Sequence, residues 1–305
     1  MNGIVLTGAT SMLGIALINQ CIKNHINILA IVRRNSSNLN RIPLSDHVKV
    51  MECNLDELSS LKVQKDQYDV FYHFAWDYTQ RKTRDNPILQ NKNIQYTLDA
   101  VELAARIGCH TFIGAGSQAE YGRVDDALSP MTPVNPDNAY GIAKYTAGKL
   151  SKLLCRDIGI RHIWTRILSV YGPYDNENTM IMYTIRTLLS KEKPIYTPSE
   201  QQWDYLYSED AARAFYAIGR KGKNNSIYCI GCGEAHPLHE YISTIRDCID
   251  ADLPLGIGEM EYSNNQVMHL CANISNLADD TGFQPEFSFH DGIARTIAWY
   301  KGEIL

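Results

Sequence analysis

The chain reads as an α/β protein built on a doubly wound parallel sheet, with a smaller α/β carboxyl-terminal lobe. Two observations carry that reading: strand-like apolar runs alternate with helix patterns, and the rhythm loosens beyond residue 172. The runs are Ile4 to Leu6, Ile28 to Val32, Val48 to Met51, Val70 to Phe74, Thr111 to Ala115 and His162 to Ile167. Such continuous apolar stretches suit strands buried on both faces. Between them, Leu13 to Asn24, Pro87 to Ile107 and Ala139 to Asp157 are helix candidates, so the order is βαβ and the sheet parallel. Residues 1–172 form the expected sheet domain, with about 200–230 returning to it, and 173–305 form most of the second lobe. That lobe holds expected helices near Met180 to Ser190, Glu209 to Lys221, Leu238 to Cys248 and Phe289 to Tyr300, and a short strand near Pro194 to Tyr196.

Composition excludes several classes. With 305 residues, 45% of them hydrophobic, the chain is long enough to bury a core without staples. Only 20 glycines and 11 prolines argue against collagen and low-complexity sequence. A net charge of −5 and no basic patch argue against nucleic acid as a partner. No apolar run approaches a membrane span, and the Met1-Asn2-Gly3-Ile4 start lacks a basic n-region, so a cytoplasmic location is expected. Eight cysteines in helix-like and strand-like segments read as reduced thiols rather than a disulfide framework.

The first chemical signal is Thr7-Gly8-Ala9-Thr10-Ser11-Met12-Leu13-Gly14, directly after the first strand and before the first helix. A dinucleotide pyrophosphate needs a tight unobstructed turn, backbone N–H groups at a helix start and a small residue where helix meets strand. Gly8 and Gly14 supply the turn and the close packing, while Ser11 stands where most such loops have glycine; its hydroxyl is expected to donate to phosphate. The second strand runs into Arg33-Arg34 rather than an acidic residue. Arginine there accommodates a 2′-phosphate, so the pair favours NADP(H) and leaves NAD(H) open.

The second signal is Tyr140 and Lys144, four residues apart on one helix face. A tyrosine near its ordinary pKa of about 10 is a poor acid–base at neutral pH, and a neighbouring ammonium favours its phenolate. Ser117 stands just after the strand Thr111 to Ala115, at the strand edge where ligands collect in open α/β sheets.

These motifs, in this order, resemble the extended short-chain dehydrogenase/reductase family of nucleotide-sugar epimerases, dehydratases and reductases, which have a Rossmann-type fold. The resemblance also runs through His73-Phe74-Ala75, Asn93, Arg166 to Pro173, Trp203 to Asp210, Tyr228 to Glu234 and Thr281 to Pro285. It implies Tyr140 as the acid–base, Lys144 as its electrostatic partner and Ser117 as donor to the reacting oxygen. The implied cofactor contacts are Gly8, Ser11, Met12, Leu13, Gly14, Arg33, Asn54, Leu55, Phe74, Ala75, Lys144 and Ile167, and Thr10, Arg34, Trp76 and Tyr140 complete the expected set. Asn54 occupies a place where the family usually has aspartate against adenine. Relatives commonly dimerise through helices equivalent to Pro87 to Ile107 and Ala139 to Asp157, so a homodimer is expected.

Family dehydratases follow the hydroxyl residue with Asp-Glu, whereas this chain has Gln118-Ala119. Alanine does no acid–base work, and Glu120, one place on, is expected to point elsewhere. The expected activity is therefore NADP(H)-dependent reduction of a nucleotide-linked 4-keto-6-deoxy sugar, with an NAD-dependent nucleotide-sugar 4-epimerase as the alternative and non-catalytic NADP(H) binding a third reading. Substrate contacts are expected from Trp76, Ser117, Gln118, Tyr140, Ser169, Asn178, Arg186, Trp203 and Gln266. Trp203 replaces an arginine with which many relatives grip the diphosphate, and an indole cannot pair with phosphate. Cys229, Cys232, His236 and His239 lie too close together for the usual pairing of zinc ligands, so no metal is expected. His73 and His162 read as core residues, and Gln80 to Arg84 as a solvated loop, with the edge of the substrate mouth as the alternative.

Overall fold

The computed structural model describes residues 1–64, 68–80, 82–263 and 266–303; Arg81 of the expected loop lies outside them. The amino-terminal strands are β1 (Gly3–Thr7), β2 (Asn27–Val32), β3 (Val48–Glu52), β4 (Val70–His73), β5 (Thr111–Ser117) and β6 (Arg161–Ile167). The helices between them are α1 (Met12–Lys23), α2 (Pro87–Arg106) and α3 (Ala139–Ile158). The second half contains β7 (Ser169–Tyr171), α4 (Met180–Leu189), β8 (Ile195–Tyr196), β9 (Gln202–Trp203), β10 (Tyr205–Tyr207), α5 (Ser208–Lys221) and β11 (Ile227–Ile230). It ends with β12 (His236–Pro237), α6 (Leu238–Ile249), β13 (Gly256–Ile257), β14 (His269–Leu270), α7 (Ser275–Thr281) and α8 (Phe289–Tyr300).

Seven strands form one parallel sheet in the order β3-β2-β1-β4-β5-β6-β11. Successive strand residues face opposite layers. Ile4, Leu6, Ile28 and Ala30 pack with α1 and α5, whereas Val5, Leu29 and Ile31 join the layer of α2 and α3. Both faces of the inner strands are thus dry, which is why β1, β2 and β4 read as unbroken apolar runs, whereas edge strand β3 is partly exposed. The chain switches direction between β1 and β4, and ligands of such sheets bind at the carboxyl end of that switch.

The helices begin where the sequence supplies caps. Ser11 accepts from the Gly14 N–H at 3.1 Å, Asn86 accepts from Ile88 and Leu89 ahead of Pro87, and Asn138 accepts from Gly141 at 2.9 Å. In the second half α4, α6 and α8 gather around Ile181, Ile185, Ile245, Ile293 and Ile297, against Tyr171 of β7 and Tyr207 of β10. Among the described residues no helix is long and apolar enough to cross a membrane. All eight cysteines are free.

Glycines make room for one large side chain behind the sheet's edge. A Cβ on Gly114 of β5 would lie 2.2 Å from the Trp164 ring, and one on Gly148 of α3 would lie 2.7 Å from it. The Trp164 indole N–H then donates to Glu120 at 2.9 Å. Glu120 is 1% exposed, and it also accepts from the Ser117 N–H and from the Arg166 guanidinium, each at 2.9 Å. It therefore points into the core and away from the sheet's open edge. Replacing Glu120 by alanine strands a buried guanidinium and should cost about 3–5 kcal/mol. Urea unfolding measures this, and Glu120→Gln should lose less; equal stability of Glu120→Ala and wild type would contradict the ion-pair assignment.

Candidate active site

A cavity of about 870 Å³ opens over the carboxyl edge of the sheet. Its floor is the turn Thr7 to Leu13, where Gly8 has φ +72° and approaches β4 so closely that a Cβ would sit 2.7 Å from the Ala75 nitrogen. Gly14 is packed against the same turn, with a would-be Cβ 2.4 Å from the Gly8 carbonyl. Side chains are excluded at both points, which leaves the start of α1 open to an anion. The loop thus fits a dinucleotide pyrophosphate. Ser11 plays a different part from the one expected: its hydroxyl donates to the Gly8 carbonyl at 2.7 Å and caps α1, so it braces the turn rather than standing free for phosphate.

Thr10, Ser11, Met12, Leu13, Arg33, Asn54, Leu55, Phe74, Ala75, Trp76, Tyr140, Lys144 and Ile167 all line the cavity. Arg34 does not. Its guanidinium pairs with Glu57 at 3.0 Å, and its N–H donates to the Asn54 side chain at 3.2 Å. Of the two arginines only Arg33 faces the cavity, and Ser36, Asn38 and Arg41, unmarked by the sequence reading, stand there with it. Only contacts across the fold could have placed Arg41, whose guanidinium donates to the Thr10 carbonyl at 3.5 Å and stacks over Tyr174 at 5.1 Å.

At the other end of the cavity stand Ser117, Gln118, Tyr140 and Lys144. Ser117 closes β5; its hydroxyl accepts from the Ala119 N–H at 3.2 Å, and its nearness favours ionisation of Tyr140. Tyr140 and Lys144 occupy the first two turns of α3. The Lys144 ammonium donates to the Ala115 carbonyl at 2.5 Å and lies 3.8 Å from the Trp76 ring centre. Burial pushes it down to about 7, although the Glu120 carboxylate opposes the shift. Burial also raises Tyr140 above the ordinary tyrosine range, against the nearby Arg84 guanidinium, which pulls it back. Trp76 meets Tyr140 edge to face at 6.1 Å and is held by its indole N–H on Gln90 at 2.9 Å. Asn93 secures the same loop by accepting from the Asp77 N–H at 2.8 Å and donating to the Asp77 carbonyl at 3.1 Å.

Other expected substrate residues fall elsewhere. Trp203 donates its indole N–H to the Ser169 hydroxyl at 2.8 Å, so the two satisfy each other outside the cavity lining. Asn178 is exposed and bonded to Asn176, Arg186 lies 4.0 Å from Glu177, and Gln266 donates to the Val267 carbonyl. None of the three lines the cavity. His73 bonds to Thr7 at 2.9 Å and His162 to Ser151 at 2.9 Å, and burial pushes both down to about 3, so both rings are neutral pieces of core. Among the described residues no group of His, Cys, Asp and Glu is placed to hold a metal ion; the Cys229 thiol contacts the Tyr121 hydroxyl and His239 the Ser199 carbonyl.

Comparison with known proteins gives the same picture. A protein of Methanocaldococcus jannaschii, provisionally named a UDP-glucose 4-epimerase, is 26% identical over 98% of both chains. The UDP-N-acetylglucosamine 4-epimerase of Methanobrevibacter ruminantium M1, solved with UDP-N-acetylmuramic acid, shares the fold with a TM-score of 0.88 at 20% identity, over 99% of each chain. The dTDP-glucose 4,6-dehydratase DesIV of Streptomyces venezuelae, solved with NAD, aligns with a TM-score of 0.83 at 19% identity, over 98% of this chain and 97% of that one. A family model described as NAD dependent epimerase/dehydratase matches residues 4–231. With its seven-stranded Rossmann sheet, glycine cradle and edge-mounted Ser117, Tyr140 and Lys144, the chain is an enzyme of the NAD dependent epimerase/dehydratase family.

Proposed function

We propose that this enzyme is an NAD-dependent 4-epimerase of a UDP-linked sugar. The observation that carries the reading is an intact Ser117, Tyr140 and Lys144 set followed by Gln118 and Ala119. Elimination of water needs an acid and a base beside the hydroxyl residue. Here the cavity receives a neutral amide from Gln118, Ala119 is buried, and Glu120 is turned into the core. What remains is chemistry at a carbinol: a proton held at Tyr140 and a hydrogen bond from Ser117 to the same oxygen. Full-length likeness to a relative named as an epimerase supports this over the reductase that the arginine pair suggested. NAD held in the Gly8 and Gly14 cradle would supply a reversible hydride acceptor for the sugar's C4. Tyr140 accepts the C4 hydroxyl proton as the carbonyl forms and gives it back as the carbonyl is reduced from the other face. Ser117 tracks the oxygen charge, and the Lys144 ammonium favours the phenolate.

A second reading rests on a specific observation. Arg33 and Arg41 line the cavity together with Ser36 and Asn38, and among the described cavity-lining residues the carboxylates are those of Asp56 and Asp77. Two guanidiniums beside two neutral donors suit a 2′-phosphate, and with it an NADP(H)-dependent reductase of a 4-keto sugar.

We further propose that the protein is a homodimer paired through α2 and α3. Ile142, Leu150 and Leu153 on α3 are 51%, 39% and 46% exposed, and Ile88 of α2 is 75% exposed. Val101 and Leu103, by contrast, are fully buried in the core.

Product analysis, cofactor use, a Tyr140 variant and sedimentation test these assignments. Incubation with UDP-sugars and substoichiometric NAD should give the C4 epimer by proton NMR with no net change in nicotinamide. Stoichiometric consumption of NADPH with a 4-keto-6-deoxy sugar nucleotide, or calorimetric preference for NADPH abolished by Arg33→Ala, would install the reductase instead. Tyr140→Phe should lower turnover by about 10²–10⁴-fold while binding of NAD stays within a few-fold; unchanged turnover would remove Tyr140 from the chemistry. In sedimentation the wild type should run as a dimer at micromolar concentration and Leu150→Glu/Leu153→Glu as a monomer, whereas a monomeric wild type would reject the pairing.

A further inference from the structure

The loop between β4 and α2 carries a cation that the Ser117, Tyr140 and Lys144 scheme leaves unused. Arg84 is exposed, lines the cavity, and lies with its guanidinium carbon 4.2 Å from the centre of the Tyr140 ring. The placement is built rather than incidental. The next residue, Asp85, accepts from the Ala139 N–H at 2.8 Å, which pins this loop to the amino end of α3 one residue before Tyr140. The Arg84 backbone N–H donates to the Gln80 carbonyl at 2.8 Å, and Asn86 caps α2, so the loop is fixed on both sides of the guanidinium.

Lys144 is poorly placed to act alone. Its ammonium is 5.7 Å from the centre of the Tyr140 ring and is committed to the Ala115 carbonyl and the face of Trp76. Burial leaves it only partly charged at neutral pH, whereas a guanidinium keeps its charge throughout. The ionisable groups near Tyr140 are thus Arg84 from the loop and the Glu120 carboxylate from behind Ser117, which act on its ionisation, and Lys144 from its own helix. Glu120 opposes ionisation and is neutralised by Arg166.

We propose that Arg84 is a positioning residue for the acid–base step, holding the Tyr140 ring against α3 and stabilising its phenolate as the permanent cation of the site. The inference deepens the proposed carbinol chemistry, because it assigns to Arg84 the charge that the reading gave to Lys144 alone. An opposite charge within roughly 4–6 Å favours the ionised form of an acid by a unit or more.

The test reads Tyr140 without substrate or cofactor. Replacing Tyr140 by 3,5-difluorotyrosine makes it the one fluorinated side chain, and its fluorine shift is followed against pH in three backgrounds: Arg84, Arg84→Lys and Arg84→Met. The midpoint should rise by about one pH unit in Arg84→Met, a tenfold change in ionisation constant, with Arg84→Lys between. In the enzyme with ordinary tyrosine, the rising limb of turnover against pH should move by the same interval, so that activity lost by Arg84→Met at pH 7 returns at higher pH. Coincident fluorine midpoints in all three backgrounds would overturn the proposal. A shifted midpoint in a protein that turns over no UDP-sugar would uphold the role of Arg84 and count against the epimerase reading alone.

Discussion

A carboxylate sealed inside the protein sets the shape of the reactive edge. Glu120 has no water to solvate it, so its charge depends on three donors: the Ser117 N–H, the Trp164 indole and the Arg166 guanidinium. Those donors come from β5 and β6, and bonding all three to one pair of oxygens fixes the turn after β5. The Ser117 hydroxyl is aimed into the cavity because its backbone is tied behind it. Buried ion pairs are seldom a bargain in stability, since desolvation offsets most of the attraction. This one converts stability into position.

The glycines serve the same end by another route. Gly8 and Gly14 let β1, β4 and α1 approach until no side chain separates them, and Gly114 and Gly148 open the slot that Trp164 fills. In the first case the absent Cβ leaves backbone N–H groups uncovered for an anion; in the second it admits an indole that reaches Glu120. Ser11 completes the first device by tying its hydroxyl back to Gly8. The loop is therefore braced by its own hydrogen bonds, which lowers the ordering cost of binding.

Local pattern made most of this legible before any coordinates. Strand runs, helix patterns and the four-residue step from Tyr140 to Lys144 depend on neighbours in sequence, and the elements fall within a residue or two of the expected bounds. Side-chain destinations set by distant partners were not legible. Arg33 and Arg34 are indistinguishable as a dipeptide; Glu57, 23 positions away, draws one of them off. Trp203 and Ser169 cancel each other across 34 positions, and Asp85 reaches Ala139 across 54 to lay its neighbour over the tyrosine. Short strands such as β9, β12 and β14 were invisible for a related reason: two residues show no period.

Epimerisation would also give a use to the opposed influences on Tyr140, whose net direction is toward the phenol. An acid that only protonates gains from a strongly held proton, and a base that only abstracts gains from a strongly stabilised phenolate. A group that must do both to the same oxygen within one turnover works best when neither form is far more stable. Burial, the largest influence, and Glu120 push Tyr140 toward the phenol; Arg84 and the nearby Ser117 hydroxyl oppose them. Arg84 stands at the water-facing rim, where its charge costs little to keep, while Lys144 sits where its charge is expensive. Placing the permanent cation outside and the titratable one inside leaves a positive charge beside the Tyr140 ring even when Lys144 gives up its proton.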